Sequence, residues 1–153
     1  NIDPGMIEEA LMSHPAVALA AAVAQPDPVA GELPCAFVEL VAGAEASAES
    51  ILASIAPLIT ERAAIPKHLE ILPSLPRTGV GKIFKPDLRR LAIARVLRDH
   101  LATAGCGAEV VAVQEDRSRG LTVILRAKDA GSRASAAREM DRFSLPWAWD
   151  ATP

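Results

Sequence analysis

Apolar positions along this chain change their period several times, and each change predicts an element. Asp3 and Pro4 are followed by Ile7, Ala10 and Leu11 at helical spacing. Asp3 suits a helix cap, Pro4 suits the first helical position, and Glu8 and Glu9 lie near the positive end of the helix dipole. His14-Pro15 ends this helix. Residues 16–24 are small and continuously apolar, which predicts a strand buried on both faces. "QPDPVAGE" (25–32) reads as a turn-rich connector, residues 33–41 as a second strand centred on Phe37 and Val38, and "AGAEAS" as a loop. Ser47 heads a helix carrying Ile51, Leu52, Ile55, Leu58 and Ile59; Pro57 either kinks it or opens a second short helix. "HLEIL" (68–72) alternates like a short strand. Residues 73–81 hold two prolines and two glycines and read as loop, and Pro86-Asp87 opens a helix to about His100.

Beyond that helix the pattern starts afresh. "EVVAV" (109–113) and "LTVILRA" (121–127) flank the polar "QEDRSRG" and predict an antiparallel hairpin. A helix over 132–143 follows, and the ending "LPWAWDATP", with both tryptophans, reads as an irregular tail. The expected class is α+β: a small mixed domain of short strands and packed helices over 1–104. A hairpin–helix extension over 105–145 is expected to pack on the same domain, with an irregular tail at 146–153. No internal repeat is evident.

Composition narrows the chemistry. The 153 residues suffice for one domain, or one domain and an appendage. Half are hydrophobic but only 3% are aromatic, so the core should rest on small aliphatic contacts. A net charge of −3 argues against a general nucleic-acid binder. Basic residues do cluster at Arg77, Lys82, Lys85, Arg89, Arg90, Arg95 and Arg98; the second half of that run reads as a solvated helix face. The stretch "AVALAAAVAQP" is too short to cross a membrane, so no span is expected. Cys35 and Cys106 show no CxxC spacing, so no metal site is expected, and a reduced, cytoplasmic setting fits. The opening "NIDPG", with neither initiator Met nor signal peptide, points to a fragment of a longer protein.

The candidate chemistry lies in "PRTGVGKIFKP" (76–86). A Walker A loop needs a first glycine at the position of Pro76 and a hydroxyl at that of Ile83, so that reading fails at both ends. Two readings stay open on the residues alone. Gly79 and Gly81 are plain turn residues beside a solvated lysine, or Lys82 is an electrostatic reagent on a loop that enters another site. His14, His68 and His100 have no Cys or Ser at a suggestive spacing and carry no catalytic reading.

Three stretches, in order, resemble the adenylate-forming superfamily in its acyl-CoA synthetase branch. "NIDPGMIEEALMSHPAV" is similar to the helix after the inter-domain hinge, and "PDPVAGELPCAFVEL" to the strands that follow. "ERAAIPKHLEILPSLPRTGVGKIFKPDLR" is similar to the closing motifs. The resemblance covers about residues 1–90 and implies the small C-terminal lid domain of a two-domain AMP-forming acid–CoA ligase of fatty-acid type metabolism. It implies that Lys82 is the catalytic adenylation lysine, that Arg77, Thr78, Gly79 and Gly81 form the mobile loop around it, and that Lys85 is a candidate phosphate contact. It also implies ATP, CoA and Mg²⁺ as substrates or ions of the full-length enzyme, none held stably by this domain alone, so the isolated fragment is expected to be inactive. The implied partners are the N-terminal adenylation domain of the same chain, a carboxylic acid, and a lysine acetyltransferase acting on Lys82. Two alternatives accompany this reading: an adenylating enzyme that loads a carrier protein, and a non-catalytic α/β interaction module.

Overall fold

The computed structural model describes residues 2–151. Its elements follow the order α1 (Pro4–Met12), β1 (Val17–Asp27), β2 (Gly31–Leu40), α2 (Ala48–Ile55), two 3₁₀ turns (Ala56–Leu58 and Arg62–Ala64) and β3 (Leu69–Ile71). Then come α3 (Lys85–Ala104), β4 (Ala108–Asp116), β5 (Gly120–Ala127), α4 (Ala130–Met140) and β6 (Trp147–Trp149). The α+β class read from the sequence is the class observed. The chain divides into two compact units: one holds the residues up to Ala24 and Leu33–Leu88, the other Gln25–Glu32 and the residues from Arg89 on.

In the first unit the strands stand in the order β1-β2-β3. The β2–β3 pair is parallel, with Ala36, Phe37 and Val38 opposite Leu69, Glu70 and Ile71. The core gathers Ile7 and Leu11 of α1, Ala20, Ala22, Ala36 and Val38 of the strands, and Ile51 and Ile55 of α2. The alternate strand positions Ala21, Val23, Cys35 and Phe37 are buried as well, so both faces are covered, as the unbroken apolar runs require. Asp3 caps α1 by accepting the Gly5 N–H at 2.9 Å, and Ser47 caps α2 through the Ser50 N–H at 3.0 Å. α2 stops at Ile55, and Pro57 falls in the 3₁₀ turn that follows, as its missing N–H dictates.

The turn-rich connector is shorter than its composition suggests. β1 runs on to Asp27 and β2 starts at Gly31, leaving a three-residue turn. Asp27 Oδ2 accepts the Val29 and Ala30 N–H groups at 2.9 and 2.8 Å, and these bonds, that to Ala30 foremost, hold its carboxyl below the usual range. Pro26 lies in β1, an edge strand, where proline is tolerated.

In the second unit the strand order is β4-β5-β6. β4 and β5 form the expected antiparallel hairpin, longer than the apolar letters alone, with a bulge between Val110 and Ala112. It packs with Leu97 and Leu101 of α3 and Ala136 and Met140 of α4 around Val123 and Leu125. α4 ends at Met140, three residues short of the expected Phe143. The tail is not irregular at Trp147–Trp149: those residues form β6, parallel to β5, with Trp147 opposite Val123 and Trp149 opposite Leu125. Residues 152–153 of that expected tail lie outside the described residues. Trp147 and Trp149 meet edge to face at 5.3 Å, and the Arg133 guanidinium lies 4.6 Å from the Trp149 ring. These contacts supply the order that a three-residue strand lacks by itself. Among the described residues no helix is long and apolar enough to cross a membrane.

Candidate functional site

Residues 76–84 are ordered by their own backbone. The Phe84 N–H donates to the Pro76 carbonyl at 2.8 Å, and Arg77 and Ile83 form an antiparallel bridge. The Thr78 N–H donates to the Lys82 carbonyl at 2.7 Å, and the Gly81 N–H donates to the Thr78 carbonyl at 2.9 Å. The stretch expected to be a loop is therefore a miniature hairpin with a three-residue tip. Such a tip needs its last residue in the left-handed region, and Gly81 has φ +87. Gly79 is not in that region. Thr78 adds a side-chain bond: its Oγ1 accepts the Lys82 N–H at 3.2 Å.

The hairpin brings the five expected loop residues together and presents Lys82 outward. Gly79, Val80, Gly81 and Lys82 are exposed, Val80 at 83%. Among the described residues no ion pair engages the Lys82 ammonium. A single cation is thus held on a narrow, tightly turned tip, next to an apolar side chain that water surrounds.

Both bases of the hairpin are tied down by carboxylates. Glu39, on β2, accepts the Leu75 N–H at 2.9 Å and the Arg77 guanidinium at 3.1 and 3.2 Å. The Leu75 bond holds the Glu39 carboxyl below its ordinary range; desolvation opposes it, and the Arg77 hydrogen bond and charge add to the lowering. On the far side, Lys85 opens α3 with its ammonium 2.8 Å from Glu8 of α1, and the same Glu8 oxygen accepts the Ala22 N–H at 2.9 Å. Glu8 therefore bridges α1, β1 and α3 instead of sitting in the first turn of α1 as a dipole partner, where no acidic residue lies. Lys85, a candidate phosphate contact on sequence grounds, already faces a carboxylate.

Glu39 and Glu8 were not read as part of the site from the sequence. The available signal was Glu39 itself, a charge directly after the buried run "CAFV". Arg89 is exposed at the start of the second unit, and His100 donates to Glu139 at 2.7 Å there. A shallow groove of about 500 Å³ in that unit, between Leu101, Gly107, Glu109, Arg126 and Lys128, contains none of the hairpin residues. Among the described residues no group of three or more His, Cys, Asp or Glu could hold a metal ion.

Comparison with known proteins bears on the same stretch. The model of the AMP-binding enzyme C-terminal domain matches residues 6–82, so the match runs from α1 to the candidate lysine. A marinolic acid–CoA ligase from Pseudoalteromonas sp. is 36% identical over the whole of this chain, which spans 24% of that enzyme's length. The amide bond synthetase from Marinactinospora thermotolerans superposes with a TM-score of 0.54 at 34% identity, over 58% of this chain and 18% of its own. An anthranilate CoA ligase in complex with anthranoyl-AMP gives a TM-score of 0.56 at 28% identity, over 62% of this chain and 19% of its own. The two structures match little more than half of the chain, whereas the marinolic acid–CoA ligase aligns with all of it, so the residues after about 100 have counterparts in that relative.

Proposed function

The chain belongs to the family of AMP-binding enzyme C-terminal domains, and from that premise we propose that it is the lid of an ATP-dependent, AMP-forming acid–CoA ligase. In this reading the domain supplies Lys82 to an active site whose ATP and acid pockets belong to an N-terminal domain of the same polypeptide. The observation that carries it is the hairpin 76–84: an ammonium with no ion-pair partner among the described residues, on an exposed tip, inside the family-matching span.

The chemistry explains why such a cation is wanted. In the first half-reaction a carboxylate oxygen attacks the α-phosphorus of ATP, the bond from that phosphorus to the α,β-bridging oxygen breaks, and acyl-adenylate and pyrophosphate result. Two anionic groups must meet, and negative charge accumulates on the α-phosphoryl oxygens in the transition state. A pre-positioned ammonium stabilises that charge without reorganising. Lysine suits the task as a compact charge on a flexible stem. In the second half-reaction a CoA thiol displaces AMP and forms the thioester, a step in which Lys82 has no part. ATP, CoA and the acid are substrates of the whole enzyme, Mg²⁺ accompanies ATP, and the described residues of this domain provide no metal cage. Arg77, Thr78, Gly79 and Gly81 shape and hold the hairpin, and acetylation of Lys82 would remove the charge.

The test is Lys82→Ala in the full-length enzyme. Loss of one such stabiliser costs about 10²–10³ in rate, roughly 3–4 kcal/mol. Acid-dependent pyrophosphate exchange should fall by that factor, while CoA-dependent consumption of supplied acyl-adenylate persists. Equal loss in both assays would assign Lys82 to folding or general binding, and no loss in either would leave "TGVGK" a turn. A second reading of the acceptor rests on the likeness to an amide bond synthetase, which favours an amine in place of the thiol. The adenylation half is common to both, and supplying acyl-adenylate with CoA or with an amine separates them.

A further inference from the structure

We propose that Glu39, with Glu8 as its counterpart, is a positioning residue for the adenylation lysine: the two carboxylates clamp the two bases of the 76–84 hairpin, so that Lys82 is carried as part of a rigid body. This rests on the reading of Lys82 given above. A hairpin this small has too few bonds to keep its own orientation, since isolated hairpins are marginal in water. Its internal bonds fix the shape of the tip but not the direction in which the tip points. Direction has to come from the bases, and each base has one carboxylate.

On the entering side Glu39 lies on β2, beside the parallel partner β3 and one residue beyond fully buried Val38. Its Oε1 takes the Leu75 N–H and the Arg77 Nη2, and its Oε2 takes the same Arg77 nitrogen. Leu75 itself is 2% exposed, so the residue leading into the hairpin is packed as well as bonded. On the leaving side Lys85 is three residues beyond Lys82 and meets Glu8, which is braced in turn by the Ala22 N–H. Each carboxylate thus joins one hairpin base to the β1–β2 sheet: Glu39 from within β2, Glu8 through β1. Between these two posts the exposed residues are the tip Gly79, Val80 and Gly81, with Lys82 and, at the leaving base, Phe84. A charge-assisted bond at each base is the economical way to restrain direction while leaving the tip free to enter a cleft. Reacting groups need this restraint, because a displacement of about 1 Å can cost about 10²-fold in rate.

The experiment has two arms. In the 153-residue chain, amide exchange at Leu75 should accelerate in Glu39→Ala and stay near the unsubstituted rate in Glu39→Gln, whose amide oxygen still accepts that bond. In the full-length enzyme, Glu39→Ala should lower kcat for pyrophosphate exchange by about 10–10², with KM for ATP and acid unchanged and thioester formation from supplied acyl-adenylate unchanged. Glu39→Gln, which loses only the charge facing Arg77, should lose less. Glu8→Ala should shift kcat in the same direction. A loosened Leu75 amide with unaltered adenylation, while Lys82→Ala still lowers adenylation by its expected factor, would overturn the proposal and spare the functional reading. Equal loss in both half-reactions would mean that Glu39 serves folding, which also overturns it. Intact adenylation in Lys82→Ala would sink the functional reading and the positioning role with it.

Discussion

The two glycines beside Lys82 are equivalent as letters and should not be equivalent as residues. Gly81 has φ +87 and closes the hairpin tip; Gly79 has no positive φ. A Cβ added at either position meets no heavy atom within 4 Å, so sterics with neighbours cancel and only backbone conformation separates the two substitutions. Alanine in the left-handed region costs about 1–2 kcal/mol. At both positions alanine also restricts the unfolded chain, which contributes about 0.4–1 kcal/mol to stability. Gly79→Ala should therefore be neutral to slightly stabilising, and Gly81→Ala should be worse than it by about 1–2 kcal/mol, a factor of about 5–30 in the closed population of the hairpin. The assay is amide exchange at Thr78 and Phe84, whose N–H groups close the hairpin at 2.7 and 2.8 Å. Protection should drop by that factor in Gly81→Ala relative to Gly79→Ala. Gly81→Asn should fall between them, since asparagine tolerates this region better. In the full-length enzyme adenylation should follow the same ranking. Equal protection in the two alanine variants, or greater damage from Gly79→Ala, would refute the argument, because the tip would then not depend on a left-handed residue at 81.

Three further outcomes concern the second unit. Leu125→Ala, at a fully buried position between α3 and α4, should lower the stability of that unit by about 2–5 kcal/mol, read from urea unfolding followed by emission of Trp147 and Trp149, its two tryptophans. Gly107→Ala should destabilise it too, because φ is +67 and the new Cβ would stand 2.4 Å from Ser132 Oγ; adding Ser132→Ala should recover the clash but not the backbone strain, so rescue is partial in the same unfolding assay. The Glu139 carboxyl is held below its usual range, chiefly by the hydrogen bond from His100 and then by Arg142. A lowered carboxyl contributes stability above the ordinary carboxylate range that disappears as pH falls through its folded value, so Glu139→Gln should flatten the acid limb of the stability–pH curve and leave less to lose.

Much of this architecture was open to reading from the sequence, and the remainder divides by the distance over which a residue finds its partner. The caps at Asp3 and Ser47, the doubly buried strands and the β4–β5 hairpin are set by neighbours a few residues away, and periodicity shows them directly. β6 could not be read that way. Three residues carry no period, and Trp147–Trp149 become a strand only by pairing with β5 and packing under Arg133. Pro28 does fall in the β1–β2 turn, but Pro26 lies within β1, an edge strand, and edge position is a property of the sheet, which no local window contains.

The candidate site shows the same division within one hairpin. Lys82 and its glycines form a contiguous motif, so their grouping was available from spacing. The residues that orient them lie far off in the chain: Glu39 is 38 positions from Arg77, and Glu8 is 14 positions from the Ala22 amide it braces. Their signal was a mismatch of another kind. A half-buried carboxylate directly after the buried "CAFV" calls for hydrogen-bond donors, since desolvating a charge without partners is costly. Hydropathy alone asks only where such a residue points. Asking instead which donors satisfy it leads from β2 to Leu75 and Arg77, and so to the base of the hairpin that holds Lys82.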